Sequence, residues 1–241
     1  MIAKSLKNKN IVIVGGSSGI GLSVATLAYE LGANISLTSR NLNKAISVAS
    51  SIGPGVKGFA LDVDDENSVN ELFKKLDAID HIYIAAGSTK LGSVTDGNLE
   101  ENMLSFNTRL LGSLRVVRAT VNKIRATGSI TFTGGVSTDR PITGAWVAGL
   151  GTASAEQLAR VLVMEFPGIR FNAVAPGYTD TPMWDGIMGD NKTNVLASIA
   201  EKLPVKKIAS PDEVASAVVF LMSNNSITGE VIHIDGGSRL V

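Results

Sequence analysis

Ile11-Val-Ile-Val14 followed by Gly15-Gly-Ser-Ser-Gly-Ile-Gly21 is the stretch on which the reading of this chain turns. Four consecutive apolar, β-branched residues read as a strand buried on both faces. They run without a linker into four glycines spread over seven residues, and then into an amphipathic run that Gly32 ends. A strand that turns straight into a helix leaves the first helical N–H groups unpaired and the positive end of the helix dipole exposed. Glycines at that turn let the backbone approach a ligand where ordinary side chains would hold it off. The combination suits a diphosphate, and its place at the start of a strand–helix–strand unit is the context such a site requires. The competing reading is a tight turn that binds nothing.

Working outward, short apolar runs alternate with helical periodicity. Strands are expected over 34–38, 58–63, 81–85, 129–133, 169–175 and 231–234, and helices over 42–51, 66–76, 99–119, 151–166 and 211–223. The last helix opens Ser210-Pro-Asp-Glu213, a cap, a proline and two acids, each favourable in a first helical turn. Asp64-Asp65-Glu66 and Glu100-Glu101 read as helix starts in the same way. This alternation demands an α/β architecture, a parallel sheet covered by helices on both faces. No repeat or linker divides the chain, so residues 1–241 are expected to form a single domain. The irregular stretch is 177–194, with Pro182, Gly186 and Gly189 among Met183, Trp184 and Met188. Long loops in such domains are commonly lids or binding loops.

Composition narrows the classes of function. Lysine plus arginine equals aspartate plus glutamate at 22 each, and the charges are interspersed. Neither a nucleic-acid partner nor a membrane surface is expected from that balance. The absence of cysteine excludes thiolate catalysis and disulfides, and with two histidines no metal site is expected. His81 and His233 read as strand residues rather than ligands. The N-terminus carries no apolar run long enough for a signal peptide or a membrane span, and a cytoplasmic location is the corresponding expectation. Arg115, Arg118, Lys123 and Arg125 read as a solvated face or a subunit contact.

The glycine spacing Gly15-x-x-x-Gly19-x-Gly21 resembles the fingerprint of the short-chain dehydrogenase/reductase family, and the likeness continues along the chain. Asp62-Val63 resembles the family's adenine-contacting pair. Ala85-Ala86-Gly87 is similar to its Asn-Ala-Gly motif with the asparagine lost, and Asn107 to its helix asparagine. Pro176-Gly177, with Thr179 and Thr181-Pro182, resembles the segment against the nicotinamide, and Asp235-Gly236-Gly237 the C-terminal signature. The resemblance implies a Rossmann-like doubly wound sheet of about seven strands in the order 3-2-1-4-5-6-7. It implies a nicotinamide cofactor held by Gly15, Ser17, Ser18, Gly19, Ile20 and Gly21, and pairing through helices 99–119 and 151–166 into a homodimer or homotetramer. The second strand ends at Ser39-Arg40-Asn41, where an NAD-binding relative would place an acid on the ribose hydroxyl. Serine does not repel a phosphate and a guanidinium suits one, so NADP(H) is the expected cofactor.

The family's usual catalytic residues are the break in the resemblance. Ala148 falls at the position of its tyrosine, Thr152 at its lysine and Gly135 at its serine. Of the remaining tyrosines, Tyr83 reads as a packed strand residue. Tyr178 would lie near the nicotinamide by analogy and, with Asn107, is the candidate catalytic residue. Ser137 and Thr138 read as solvated loop hydroxyls. Gly135, Val136, Trp146, Ala148, Met183 and Trp184 are expected to shape the substrate side, which suits a small and hydrophobic substrate. Three readings follow. One is a reductase that does without tyrosine–lysine chemistry, acting on a pre-activated imine or enone. The second is a non-redox enzyme in the same cleft. The third is an inactive NADP(H)-binding protein or partner subunit.

Overall fold

A computed structural model describes residues 6–241. The expectation about an N-terminal targeting segment falls partly on residues 1–5, outside the described residues. Seven parallel strands form one sheet in the order β3-β2-β1-β4-β5-β6-β7. They are β1 (Asn10–Val14), β2 (Asn34–Ser39), β3 (Lys57–Ala60), β4 (Ile79–Ile84), β5 (Ile124–Thr133), β6 (Arg170–Pro176) and β7 (Val231–Ile234). Between them run α1 (Gly19–Glu30), α2 (Leu42–Ile52), α3 (Glu66–Lys74), α4 (Leu99–Thr120), α5 (Trp146–Glu165), α6 (Asp185–Met188), α7 (Lys192–Lys202) and α8 (Pro211–Ser223).

Continuous apolar strands arise because each face has its own core. Along β1, Val12 and Val14 point into one core with Ile82, Phe132, Phe171 and Val116. Ile11 and Ile13 point into the other with Leu37, Tyr83, Val24 and Val218. Strand side chains alternate faces, so a strand covered on both sides is apolar except where a polar side chain finds a partner, as Asp80 and His81 do in β4. Tyr83 is packed as the sequence suggested. It is fully buried, its hydroxyl accepts a bond from Thr133 Oγ1 at 2.9 Å, and burial first of all pushes its pKa up to about 12. The helix starts also match their reading. Asp65 accepts from the Asn67 N–H, Asn98 from that of Glu101, and Ser210 and Glu213 form a reciprocal capping box.

Four local expectations are corrected. β3 ends at Ala60, three residues before the expected end. β5 begins at Ile124, before a register shift and a positive φ of 70° at Thr127. α5 starts at Trp146, so neither Gly149 nor Gly151 interrupts it; packing outweighs their weak helix propensity. The 177–194 stretch is mostly helical: a 3-10 turn over Pro182–Trp184, then α6, a second turn over Gly189–Asn191, and the start of α7. The basic residues after α4's middle are ties rather than a solvated face. Arg115 donates to the Val63 carbonyl at 3.0 Å, and Lys123 to the Phe73 and Leu76 carbonyls at the end of α3. Arg125 and Lys9 each lie 3.0 Å from Asp80. Burial alone would raise the Asp80 pKa, but the Asn10 N–H and these two cations hold it below the ordinary value. Arg118, paired with Glu66, and Arg125 keep the solvated character expected of them, both side chains being more than half exposed.

His81 sits in β4 with Nδ1 2.9 Å from Ser129 Oγ, and burial, with the Arg170 charge second, pushes its pKa down from 6.5 to about 4. As pH falls below 6.5 the unfolded chain binds a proton that the folded chain refuses until about pH 4. The stability is present above 6.5 and is lost across that window, to a limit of about 3 kcal/mol. His81→Asn should therefore lose less stability than wild type between pH 7 and pH 4.5, by about 2 kcal/mol in urea unfolding. Parallel losses in both proteins would exclude His81 as the cause.

Candidate functional site

The carboxyl ends of the strands open into one cleft of about 680 Å³, centred where the sheet order reverses between β1 and β4. Loops leaving neighbouring strands there go to opposite faces and leave a crevice. The Gly15–Gly21 turn forms its floor. Gly15 has φ +85°, and a Cβ on it would lie 2.9 Å from the Ala86 nitrogen. A Cβ on Gly21 would collide with the Gly15 carbonyl oxygen. The turn is pinned from β2: Gly15 N–H donates to Thr38 Oγ1 at 3.1 Å and Gly16 N–H to the Thr38 carbonyl at 3.0 Å. Ser18 is the N-cap of α1, yet its side chain makes no cap bond, and the first turn holds no acid. No side chain caps the helix's positive end among the described residues, so these residues fit an anionic diphosphate.

Of the other residues expected to hold the dinucleotide, Ser17, Ser18, Ile20, Ser39, Arg40, Asp62, Val63, Ala85, Ala86, Gly87, Pro176, Gly177, Thr179 and Thr181 all line the cleft. Ala85 and Ala86 both donate to the Val14 carbonyl, at 2.9 and 3.0 Å, and so hold β4's end against the turn. Asn41 stands apart. It caps α2, accepting from the Lys44 N–H at 3.0 Å, and it is Lys44 that lines the cleft beside Arg40. The sequence signal for Lys44 was a lysine in the first turn of the helix that follows Arg40.

At the other end Gly135, Val136, Ala148, Met183, Trp184 and Tyr178 line the wall. Tyr178 stacks on Trp184 with ring centroids 5.1 Å apart. Trp146 is outside the lining: on the first turn of α5 it lies two residues from Ala148, about 200° around the helix. Asn107 is outside it for the same reason: Thr108 and Arg109, next to it along α4, are the residues turned to the cleft.

Three residues went unnoticed in the sequence or were read otherwise. Arg109 donates to the Thr133 carbonyl at 2.6 Å and passes beside Gly87 and Gly151, whose missing side chains make room for it. Glu156, on α5, is buried; its carboxylate accepts from the Gly135 N–H at 3.1 Å and from Thr138 Oγ1 at 2.9 Å. Burial, partly opposed by those two bonds, raises its pKa above the ordinary carboxylate value. Thr138 is thus no solvated hydroxyl: it bridges Glu156 to Thr152 Oγ1, 3.0 Å away. Thr152 Oγ1 in turn lies 3.0 and 3.1 Å from the Ala148 and Gly149 carbonyls.

Fold and cleft define a doubly wound α/β protein with a glycine-lined crevice at its switch point. A protein-family model described as enoyl-(acyl carrier protein) reductase matches residues 14–239. The human 3-oxoacyl-[acyl-carrier-protein] reductase is 30% identical over 97% of this chain and 99% of its own length. Among solved structures, the MalC reductase/Diels-Alderase from Malbranchea aurantiaca superposes with a TM-score of 0.91 at 26% identity, covering 100% of both chains. A small-chain dehydrogenase in complex with NADPH superposes at 0.82 and 28% identity, covering 98% of this chain and 100% of its own. The chain belongs to the short-chain dehydrogenase/reductase family.

The turn's geometry generates a direct test. Gly21→Ala places a methyl group against the Gly15 carbonyl, a backbone atom that moves only with the whole turn. Calorimetric titration with NADPH should show at least about 100-fold weaker binding, a loss near 2.7 kcal/mol, with the fold retained by circular dichroism. Binding within threefold of wild type would remove the turn from the site.

Proposed function

We propose that this chain is an NADP(H)-dependent oxidoreductase acting on a small, largely apolar substrate without tyrosine–lysine chemistry. The observation that carries the reading is the continuity of the cleft. It runs from the Gly15–Gly21 turn and Arg40 at one end to Ala148, Met183 and Trp184 at the other. A dinucleotide gripped at the turn has room to place its adenosine toward Arg40 and its nicotinamide toward the second wall. Bound there, the nicotinamide would supply or accept a hydride. The family membership and the NADPH-bound relative support this use of the cleft.

Ser39, Arg40 and Lys44 line the mouth with two cations, and the end of β2 lacks the acid that an NAD-binding relative would place there, an arrangement suited to a 2′-phosphate. Ala148, Thr152 and Gly135 stand where the family's tyrosine, lysine and serine are expected. Losing a placed general acid typically costs about 10² to 10⁴ in rate, so the substrate is one that accepts a hydride readily, an imine or an enone. Tyr178 is the remaining phenol at the wall, and its stacking on Trp184 gives it a part in shaping the apolar end. Exposed Leu104 and Leu111 on α4, with Leu150, Val161 and Met164 on α5, support pairing of these helices in a homodimer or homotetramer.

Titration with NADPH and NADH, followed by hydride transfer to imines, enones and ketones, tests the reading. NADPH should bind more tightly than NADH, and at least one substrate class should consume it. Tight NADPH binding with no turnover would favour the binding-only protein, for which the replaced residues at 135, 148 and 152 already argue. Turnover that needs no dinucleotide would favour the non-redox enzyme. Arg40→Ala should weaken NADPH about tenfold, roughly the 1.4 kcal/mol of one charge-assisted contact, and leave NADH unchanged; equal effects on both would remove the phosphate assignment. Tyr178→Phe should keep turnover within about threefold, whereas a loss on the scale of a general acid would make Tyr178 the proton donor.

A further inference from the structure

Arg109 is a half-buried cation in the lining of the cleft that forms no ion pair among the described residues. Its Nη1 donates to the Thr133 carbonyl. Its Nη2 lies against Gly87, 3.1 Å from where a Cβ would stand, and its Cδ 3.3 Å from the corresponding point at Gly151. None of the ion pairs among the described residues includes it. The nearby carboxylate, Glu156, is committed to the Gly135 N–H and Thr138. The other cations of the cleft, Arg40, Lys44, Arg140 and Lys202, are exposed at its rim. Burial disfavours the charged form of Arg109, an effect that the Tyr83 and Glu156 neighbourhood only partly offsets.

Removing a guanidinium from water is costly unless it is paired and its donors are used. One carbonyl uses one of five donors. Two glycines, on different elements, leave the space that lets the side chain reach the cleft. A residue present only to fill that space would be cheaper as a methionine or leucine.

We propose that Arg109 is an anion subsite, and that the substrate presents to it an oxygen that carries or develops negative charge. This rests on the substrate-side assignment made above and narrows it. A ketone or enone that gains an electron pair gathers negative charge on oxygen, where a fixed guanidinium stabilises it. A pre-formed iminium arrives positive and leaves neutral, so a fixed guanidinium beside it repels it from the start. Between the two pre-activated substrate classes, Arg109 selects the enone, or a substrate anchored by a carboxylate.

The test needs neither turnover nor a known substrate. Three probes of one shape, benzoate, benzamide and benzamidinium, are titrated against the full-length protein with and without saturating NADP⁺, read by calorimetry and by tryptophan fluorescence. Benzoate should bind at least tenfold more tightly than benzamide, and benzamidinium more weakly than either. Arg109→Met should abolish the benzoate preference, Arg109→Lys should keep part of it, and Arg118→Met, at an exposed pair on the same helix, should leave it intact. Equal binding of benzoate and benzamide to wild type would overturn the proposal, and this comparison stands even where Arg109→Met fails to fold. A benzoate preference that survives in Arg109→Met would overturn it too and move the anion to Arg140 or Lys202. Absence of NADPH binding would defeat the cofactor reading while leaving the probe ranking unaffected, so the two failures are separable.

Discussion

The approach of the β1 turn to the end of β4 is the constraint on which the rest of the molecule depends. Gly15 packs so close to Ala86 that a side chain would touch backbone, and the Val14 carbonyl collects two N–H groups from Ala85 and Ala86. That seam is the switch point of the sheet. On one side the chain proceeds outward through β2 and β3, on the other through β4 to β7. Were the two strands a side chain's width further apart, the loops would close over the crevice or the two cores would lose their shared wall. The apolar strands, the open helix N-terminus and the cleft are consequences of packing backbone on backbone at this one place.

The parts of the fold legible in the sequence are those set by local chemistry and burial. Ile11 to Val14 had to be a doubly covered strand, and Ser210 to Glu213 had to start a helix, because the residues themselves supply the cores or the caps. The misread parts are settled at a distance. Gly149 and Gly151 look like helix breakers until Arg109 is seen filling the groove that Gly151 leaves. Residues 124–128 carry arginine, threonine and glycine and look unlike a strand. They join β5 because β4 offers paired backbone groups through a register shift. Pro182, Gly186 and Gly189 suggest an open loop, yet each sits at or inside a short turn of helix.

The site divides in the same way. Its floor is backbone, and glycine spacing reports backbone directly. Its far wall is made of side chains whose direction depends on helix phase, which spacing alone leaves open. Asn107 and Arg109 differ by two residues, and the difference decides which one reaches the cleft; Trp146 and Ala148 repeat the lesson on α5. Asn41 and Lys44 show it at the mouth, where the polar residue nearest the strand is consumed as a cap and the lysine a turn later is free to face the ligand.

Gly135, Ala148 and Thr152, which on the proposed reading stand in for the family's catalytic set, belong to a hydrogen-bonded wall. Thr152 lines the cleft but lacks a lysine's reach and charge, and its hydroxyl stays bonded to the Ala148 and Gly149 carbonyls of its own helix. Through Thr138 it joins Glu156, whose carboxylate takes the Gly135 N–H and leaves no room for a side chain at Gly134. Loop and carboxylate therefore fix one another: a buried acid would be costly without those donors, and the loop's N–H would be orphaned without the acid. On the proposed reading, a wall locked in this way lends no proton to a substrate from the usual side. The electrostatic assistance proposed for Arg109 then enters from the opposite helix, α4, where its guanidinium is held by the Thr133 carbonyl at the end of β5.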